Sequence, residues 1–237
     1  MQSKKCFIPL YFTLIAGSIL LNCTNKSDNE DGNTGPFDVT TMATPEGGYV
    51  KPAQDGPVRS VLGEPEIDTD TFHLTVSGLV DSPFTLSWDK ILAYPPAFTD
   101  TILMYCVEGW EVWGNWKGLL IESLLAKAHV RPEGTHVHFT CADGYDTSLP
   151  RSYLLKYRII LAYEVNGFPL TVSDGYPLRL VAFGKFGYKW AKWITRLEVT
   201  DESFIGYWEG YGYTDKADVP MDRRRFYEGD TAQQLEY

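Results

Sequence analysis

The sequence predicts an α+β fold of mixed β-sheets with few short helices, and three observations lead to that prediction. Short segments of alternating or continuous apolar residues are numerous, and turn-forming Gly, Pro, Asn and Asp separate them. Only two stretches have the apolar spacing of a helix. Hydrophobic residues make up 44% of the 237 positions, enough for one well-buried core, and no internal repeat divides the chain.

The predicted elements follow one another along this core. Phe72–Val80 alternates apolar and polar residues, as a half-buried strand does. Ser87 is placed to cap a short helix at Trp88–Leu92, which Pro95 and Pro96 stop. Asn166-Gly167 predicts a tight hairpin turn. Strands are further predicted at Thr101–Val107, His136–Cys141, Ile159–Glu164, Phe168–Val172, Leu178–Phe183 and Trp190–Thr200, and a helix at Gly118–Ala128.

The first 22 residues have the pattern of an export signal. Lys4 and Lys5 precede the apolar run Phe7–Leu21, which is too short for a comfortable membrane span. Leu20–Cys23 resembles the lipobox of bacterial lipoproteins, although Asn22 departs from its usual small residue. We therefore expect lipidation of Cys23 and a place in the cell envelope on the periplasmic side. An ordinary signal peptide that happens to contain a cysteine is the alternative.

The export route stays open at this point. Residues 3–8 resemble a twin-arginine signal in which lysines replace both arginines. After the signal, residues 23–56 are rich in Ser, Thr, Asn, Asp, Gly and Pro, which predicts a flexible linker. The domain is predicted at residues 57–213. Residues 214–237, with three arginines at 223–225, form a tail that is either a docking element or solvated.

The charge of the chain excludes one class of partner. The formal net charge is −10, and loss of residues 1–22 would leave 19 basic against 31 acidic residues. Nucleic-acid binding depends on Lys and Arg that neutralise phosphates, so we expect no nucleic-acid partner. An anionic membrane would also repel this surface, so membrane attachment must be hydrophobic, through the lipid anchor.

Cysteine usage singles out one residue. Cys6 lies in the signal and Cys23 at its end, so the domain retains Cys106 and Cys141, too few for a disulfide framework or a four-thiolate zinc site. A single disulfide between them is possible. Cys106 lies near the end of the predicted strand Thr101–Val107, which leads into a polar, irregular segment with two glycines and three tryptophans. A lone cysteine is usually a small buried residue, but this setting suits a soft metal ligand.

Other standard sites are absent from the sequence. No Gly-x-Ser-x-Gly elbow, P-loop, His-Glu-x-x-His or haem-attachment motif occurs. His136 and His138 share a strand face, but two ligands at this spacing do not define a zinc site, so we interpret them as structural or exposed.

A second segment suits an anion. Gly184 and Gly187 bracket Lys185, so that backbone N–H groups can turn toward a ligand, while Arg179 and Lys189 add positive charge to an otherwise acidic chain. A bound phosphate is one interpretation, and a strand face with solvated lysines is the other.

Six ordered motifs carry a family resemblance across roughly residues 72–213. Together they resemble the molybdopterin-binding oxidoreductase domain shared by sulfite oxidases and periplasmic methionine-sulfoxide reductase catalytic subunits. The motifs are Cys106–Trp110, Asp143–Tyr145 with Ser148–Pro150, Ile160–Leu170, Gly175–Val181, Gly184–Ile194 and Gly206–Glu209.

This resemblance implies a sulfite-oxidase-type molybdopterin-binding fold and a molybdenum–molybdopterin cofactor. It implies that the thiolate of Cys106 ligates the metal and is the catalytic group of an oxygen-atom transfer in which molybdenum cycles between Mo(VI) and Mo(IV). The residues that it places at the cofactor are Cys106, Asp143, Gly144, Tyr145, Arg179, Gly184, Lys185, Gly187, Tyr188 and Lys189.

Departures from the family pattern shape the remaining expectations. Sulfite oxidases place an arginine shortly after the ligating cysteine, where this chain has Glu108 and Glu111, so we do not expect sulfite as the substrate. The dimerisation domain is absent from this sequence, which predicts a monomer. Without a haem motif, electrons must pass to or from a separate partner, a haem-containing or quinone-linked membrane protein.

The competing hypotheses are a lipid-anchored binding module that carries no metal and a structural domain with a Cys106–Cys141 disulfide.

Overall fold

A computed structural model describes residues 59–95 and 97–220, and the elements below belong to that part of the chain. The strands are β1 (His73–Gly78), β2 (Phe84–Ser87), β3 (Ala97–Tyr105), β4 (Glu111–Leu120), β5 (His136–Cys141), β6 (Asp146–Pro150), β7 (Ile160–Val165), β8 (Phe168–Pro169), β9 (Arg179–Val181) and β10 (Ile194–Thr200). The helices are α1 (Trp88–Leu92), α2 (Ile121–Ala128), α3 (Arg151–Lys156) and α4 (Tyr207–Gly210).

These strands form two sheets. The first has the order β2-β1-β10-β5-β6, and the second has the order β3-β4-β7-β8, with β9 also paired to β7. The pairing of β1 with β10 is parallel and the other pairings are antiparallel. Mixed sheets with four short helices confirm the predicted α+β class and agree with the fold that the resemblance implied.

The core lies on the apolar faces of both sheets and of α2. Along β5 the buried residues alternate, with Val137 and Phe139 fully buried, as the period of two in a half-exposed strand requires. In the helix predicted at Gly118–Ala128, Leu124 and Leu125 are buried, although the helix begins at Ile121. Several core side chains belong to the segments that surround the site described below.

Local patterns predicted several elements closely. The helix at Trp88–Leu92 and the strand at His136–Cys141 have the predicted bounds, and Asn166 and Gly167 form the predicted hairpin turn, with φ of 55° and 84°. Ser87 occupies the N-cap position of α1, but its side chain makes no capping hydrogen bond.

One interpretation was wrong. The segment after Cys106 was expected to be irregular, whereas it forms the ten-residue strand β4. Its glycines allow close packing: a Cβ on Gly118 would lie 2.1 Å from the backbone oxygen of Leu161 on β7. Glycine therefore marks a close strand approach here rather than a break.

The packed domain extends past Tyr213, where the sequence prediction ended it. The backbone N–H of Val219 donates to the oxygen of Gly184, and Ala217 and Val219 are buried.

The predicted signal, the lipidated Cys23, the linker and the tail beyond residue 220 lie outside the described residues. No helix within residues 59–95 and 97–220 is long and apolar enough to cross a membrane.

Candidate functional site

Three segments meet at the connection between β9 of the second sheet and β10 of the first sheet. Tyr105, at the end of β3, forms an isolated parallel bridge with Phe186. The backbone N–H of Ala142, after β5, donates to the oxygen of Trp193 at 2.9 Å. Residues 187–193 therefore lie between the loop that carries Cys106 and the turn that follows β5.

A cavity of about 350 Å³ opens at this junction, within the usual range for small-molecule sites. Aromatic, basic and thiol side chains share its wall. Its lining residues are Arg59, Ser60, Met104, Cys106, Val107, Glu108, Trp110, Asp143, Tyr145, Ser173, Arg179, Gly187, Tyr188, Trp190, Ala191, Lys192, Trp193, Trp208 and Tyr213.

Cys106 presents a free, half-buried thiol to this cavity. Cys141 is also a free thiol and is buried, so the alternative disulfide between the two is not formed. The backbone N–H of Glu108 donates to the Cys106 sulfur at 3.4 Å. Burial raises the pKa of the Cys106 thiol, so a bound cation is needed to hold it as a thiolate near neutral pH.

A charge pair lies beside this thiol. Arg59, which precedes Cys106 by 47 residues, forms an ion pair with the carboxylate of Glu108. The indole N–H of Trp110 donates to the other carboxylate oxygen at 3.1 Å, and these two contacts lower the pKa of Glu108. The acidic group that the sequence placed next to the thiol is therefore neutralised by an arginine from a distant segment.

The turn after β5 is held by the buried carboxylate of Asp143. One oxygen accepts from the backbone N–H of Tyr145 at 3.0 Å, and the other accepts from the N–H of Val61 at 2.9 Å. Gly144 has φ of 82°, which favours glycine, and it does not line the cavity. The Tyr145 hydroxyl donates to the backbone oxygen of Tyr188, and burial raises its pKa well above the usual value.

Arg179 is a buried cation at the back of the cavity. Its guanidinium donates to the backbone oxygen of Asp174 at 3.1 Å and contacts the sulfur of Met104 at 3.0 Å. Its Nε has no hydrogen-bond partner among the described residues. Burial lowers its pKa to about 10, so the group remains charged at neutral pH. A buried guanidinium without a carboxylate partner is costly unless an anion binds it.

Lys192 adds a second positive charge to the same wall. Its amine donates to the backbone oxygen of Ser173 at 3.1 Å and lies 4.1 Å from the ring centroid of Trp193. Burial, together with repulsion from Arg179, lowers its pKa to about 8. The carboxylates of Asp143, Glu64 and Asp174 oppose that shift but do not cancel it. Burial disfavours the charged forms of both Arg179 and Lys192. Two such cations that face one cavity are suited to bind a phosphate.

Replacement of Lys192 by methionine is expected to change how the stability of the cofactor-free protein depends on pH. The pKa of Lys192 is about 8 in the folded protein and about 10.5 in the unfolded chain, so the folded state binds fewer protons between these values. The cost of burying the charge is full below pH 8 and is relieved as pH rises toward 10.5. Wild type should gain about 1 kcal/mol of unfolding free energy over Lys192→Met between about pH 7 and pH 9, measured by urea denaturation. A pH-independent difference would contradict the buried charge.

Besides Gly144, three residues that the resemblance assigned to the cofactor do not line the cavity. The Lys185 amine donates to Asp218 and to the backbone oxygen of Lys216, each at 2.7 Å. Lys189 is fully buried and forms an ion pair with Glu209. Gly184 is buried with φ of 72° and accepts the backbone hydrogen bond from Val219. Of the residues that the resemblance assigned in this segment, Gly187 and Tyr188 line the cavity.

The tryptophans divide between core and cavity. Trp110, Trp190 and Trp193 line the cavity, and the last two are also almost completely buried. Trp116 is fully buried in the core, and Trp113 packs against a smaller cluster. Trp116, Trp190 and Trp193 are therefore mainly core residues.

Several cavity residues were missed by sequence reasoning. Lys192 lies within a recognised motif, so the motif itself was a usable signal. Trp208 belongs to the recognised motif at Gly206–Glu209, but no local pattern connects that motif with the cavity. Arg59 and Tyr213 reach the site only through tertiary packing. Within residues 59–95 and 97–220, no group of three or more His, Cys, Asp and Glu side chains is arranged to hold a metal ion.

Comparisons with known proteins identify the family of this chain. A model of the family described as "Oxidoreductase molybdopterin binding domain" matches residues 61–208. The "Uncharacterized oxidoreductase YuiH" of Bacillus subtilis is 36% identical over 160 residues, which cover 67% of this chain and 80% of that protein. The mitochondrial sulfite oxidase of Drosophila melanogaster is 30% identical over 184 residues, which cover 66% of this chain and 32% of that protein.

A solved structure has the same fold. The sulfane dehydrogenase SoxCD from Paracoccus pantotrophus aligns with a TM-score of 0.57 and 28% sequence identity. The alignment covers 60% of this chain and 41% of that chain, so the chain spans less than half of this structural relative.

Proposed function

Because the chain belongs to the family of oxidoreductase molybdopterin-binding domains, we propose that it is an exported molybdenum-cofactor enzyme that transfers an oxygen atom to or from a neutral substrate. One observation carries the proposal. The free thiol of Cys106 shares a cavity with the guanidinium of Arg179, which is buried and has an Nε without a partner among the described residues. A soft metal ligand and an anion site therefore face the same space.

The residues present fit the cofactor of this family. Cys106 would hold the metal, and Arg179 with Lys192 would hold the phosphate of the pterin. Asp143 fixes the turn that brings Tyr145 to the cavity wall. When bound, the cofactor supplies two-electron oxygen-atom transfer. In this proposal Lys192, rather than Lys185 or Lys189, is the lysine that binds the cofactor. The amine of Lys185 contacts Asp218, and the amine of Lys189 forms an ion pair with Glu209.

The protein contributes orientation and exclusion of water. The backbone N–H of Glu108 orients the Cys106 sulfur through its 3.4 Å contact. The buried rings of Trp190 and Trp193 close the inner wall against solvent, which strengthens electrostatic interactions inside. The Tyr145 hydroxyl keeps its proton near neutral pH and is held at the wall by the backbone oxygen of Tyr188. Because that single proton is directed at Tyr188, the hydroxyl oxygen is suited to accept a hydrogen bond from a polar substrate group.

The charge pair beside the thiol supports a neutral substrate. Arg59 and Glu108 neutralise each other, so neither leaves a net charge for an ionic substrate to pair with. An anion such as sulfite would have to displace Glu108 from Arg59 and would meet the freed carboxylate. A neutral oxygen donor or acceptor meets no such barrier.

Replacement of Glu108 by glutamine is expected to raise the use of sulfite. The change removes the carboxylate and leaves the positive charge of Arg59 beside the thiol, so kcat/KM for sulfite should rise roughly tenfold. Sulfite oxidation would be followed with ferricyanide as the electron acceptor at low ionic strength. Glu111→Gln is the matched control, because Glu111 does not line the cavity. An unchanged or lower kcat/KM for sulfite in Glu108→Gln would contradict the screening role.

The activity itself is tested by assays in both directions. Full-length protein from a host that makes molybdopterin would be supplied with dimethyl sulfoxide or methyl p-tolyl sulfoxide and reduced viologen, and separately with sulfite and ferricyanide. Reduction of a sulfoxide consumes two electrons and two protons and releases the sulfide and water. We expect sulfoxide reduction to exceed sulfite oxidation. Absence of turnover in both directions by molybdenum-loaded protein would reject oxygen-atom transfer.

The location proposed for the enzyme is the cell envelope on the periplasmic side, attached through a lipid on Cys23. The support is the sequence of residues 1–23. Cys23→Ala is expected to move the protein from the membrane fraction to the soluble fraction in a bacterial host, with Cys6→Ala as the control. A protein that remains with the membrane after Cys23→Ala would contradict the lipid anchor.

We further propose a monomer that exchanges electrons with a separate membrane protein containing haem or linked to quinone.

A further inference from the structure

An ionic clamp, formed by the buried Lys189 and Glu209 and the half-exposed Asp215, lies next to residues of the cavity wall. The Lys189 amine is fully buried and contacts a carboxylate oxygen of Glu209, Asp215 at 3.0 Å and the backbone oxygen of Ser148 at 3.0 Å. The same Glu209 oxygen accepts from the hydroxyl of Thr147 at 2.8 Å. Its other oxygen is buried and has no partner among the described residues.

The clamp joins two segments that line the cavity. Lys189 lies between Tyr188 and Trp190, which both line it. Glu209 directly follows Trp208, and Asp215 lies two residues after Tyr213, and these two aromatic residues also line the cavity. One ammonium group therefore ties the two segments together through the side chains of Glu209 and Asp215.

Aromatic contacts and a close backbone approach complete this arrangement. The ring of Tyr213 lies 5.5 Å from Trp208 and 5.2 Å from Tyr188, between centroids, and the Tyr188 hydroxyl donates to the backbone oxygen of Thr214 at 2.7 Å. Gly206 lets the segment approach β6, because a Cβ there would lie 2.6 Å from the backbone oxygen of Asp146. The rings of Tyr188, Trp208 and Tyr213 are called the aromatic wall below.

Stability alone is a weak reason for such a clamp. Burying an ammonium and a carboxylate costs solvation that their attraction repays only in part, and an apolar pair of similar volume is often at least as stable. A buried ionic contact does fix the relative position of the segments that carry it, because breaking it leaves a buried charge uncompensated. The clamp is thus suited to hold a side chain in one position at a site.

We propose that Lys189, Glu209 and Asp215 are positioning residues that hold the aromatic wall as the contact surface for the apolar or aromatic part of the substrate. The substrate role rests on the proposed function, whereas the holding role does not. Trp and Tyr at a partly solvated rim provide a large apolar face with few rotatable bonds, so they suit a substrate group larger than the reacting atoms. A small oxygen donor has no such group to place against this surface.

Hydrogen exchange tests the holding role without cofactor or turnover. Glu209→Gln is expected to speed amide exchange in residues 203–215 about tenfold or more, while the strands β5 and β10 keep their protection. Asp215→Asn, on the more exposed arm, should give a smaller increase in the same segment and covers the case that Glu209→Gln folds poorly. Glu202→Gln is the control, because its side chain is exposed. Unchanged exchange of residues 203–215 in both clamp variants would overturn the clamp.

Steady-state kinetics test the substrate contact. For methyl p-tolyl sulfoxide, Trp208→Ala is expected to raise KM about tenfold with little change in kcat, and Glu209→Gln to raise KM by a smaller factor. For dimethyl sulfoxide, KM should change less than about twofold in both variants. Ile205→Ala is the control, since Ile205 lies in the same segment, is 71% exposed and does not line the cavity. Equal changes in KM for the two sulfoxides, or none, would overturn the substrate contact.

Two readouts separate this inference from the proposed function and from the cofactor role first expected of Lys189. Protein that holds no molybdenum or turns over neither sulfoxide would defeat the proposed function, while hydrogen exchange would still decide the clamp. Molybdenum and pterin content in Asp215→Asn should equal that of wild type, because the clamp acts on the aromatic wall. A proportionate loss of pterin in Asp215→Asn would assign the clamp to cofactor binding instead.

Discussion

Replacement of Cys106 by serine is expected to lower oxygen-atom-transfer turnover by at least roughly a hundredfold. Loss of groups that merely support a metal ligand typically costs 10–100-fold in affinity or activity, so loss of the ligand should cost more. A serine oxygen is a harder donor than a thiolate and holds its proton to a much higher pH. Turnover of the two sulfoxides with reduced viologen would be compared at equal protein concentration, with molybdenum content measured on the same samples.

Cys141→Ala provides the matched control for this experiment. Cys141 is the other free cysteine in the described part of the chain, but it is buried beside β10 and does not line the cavity. Its replacement should leave turnover unchanged and lower the unfolding free energy by about 1 kcal/mol through the small void that it leaves. A Cys106→Ser protein that retained molybdenum and wild-type turnover would contradict the role of this thiol.

Replacement of Arg179 by methionine should weaken pterin retention roughly a hundredfold with little loss of fold stability. The guanidinium is fully buried, and its only hydrogen-bond acceptors among the described residues are a backbone oxygen and the sulfur of Met104. Charge-assisted hydrogen bonds to a phosphate contribute about 1.5–3 kcal/mol, so losing them weakens binding strongly. The cofactor-free protein loses a charge that is costly to bury, which offsets the lost contacts.

Pterin fluorescence after dialysis and urea denaturation of the cofactor-free protein would measure these two effects. Arg196→Met is the control, because Arg196 is exposed on β10 and does not line the cavity. Pterin retention by Arg179→Met equal to that of wild type would show that the buried cation serves another purpose. A large loss of fold stability would show that Arg179 acts mainly in the core.

Local patterns were sufficient where one face of an element is buried. The alternation in His136–Cys141 and the Asn166-Gly167 turn each point to one conformation, and both agree with the structure. The strand β4 was missed because its glycines and tryptophans resemble a loop when they are considered without β7. The short strand β6 and helix α3 have too few residues for a periodic signal.

Part of the site could also be predicted from local sequence motifs. Cys106, Tyr145 and Arg179 lie in segments with distinctive motifs, and the structure brings all three to one cavity. The choice among Lys185, Lys189 and Lys192 depends on side-chain direction in an irregular segment, where a 3₁₀ turn and a positive φ at residue 193 remove any simple period. Arg59 lies 47 residues before Cys106, and no local pattern indicates that the two share a site.

The most direct test of the account is the molybdenum and pterin content of wild-type full-length protein from a host that makes the cofactor. Mass spectrometry would count metal atoms per chain, and the fluorescence of the oxidised pterin would be measured on the same sample. We expect close to one molybdenum and one pterin per chain. A well-folded protein with neither would contradict the enzyme proposal and would favour a lipid-anchored binding module that keeps the fold without the metal.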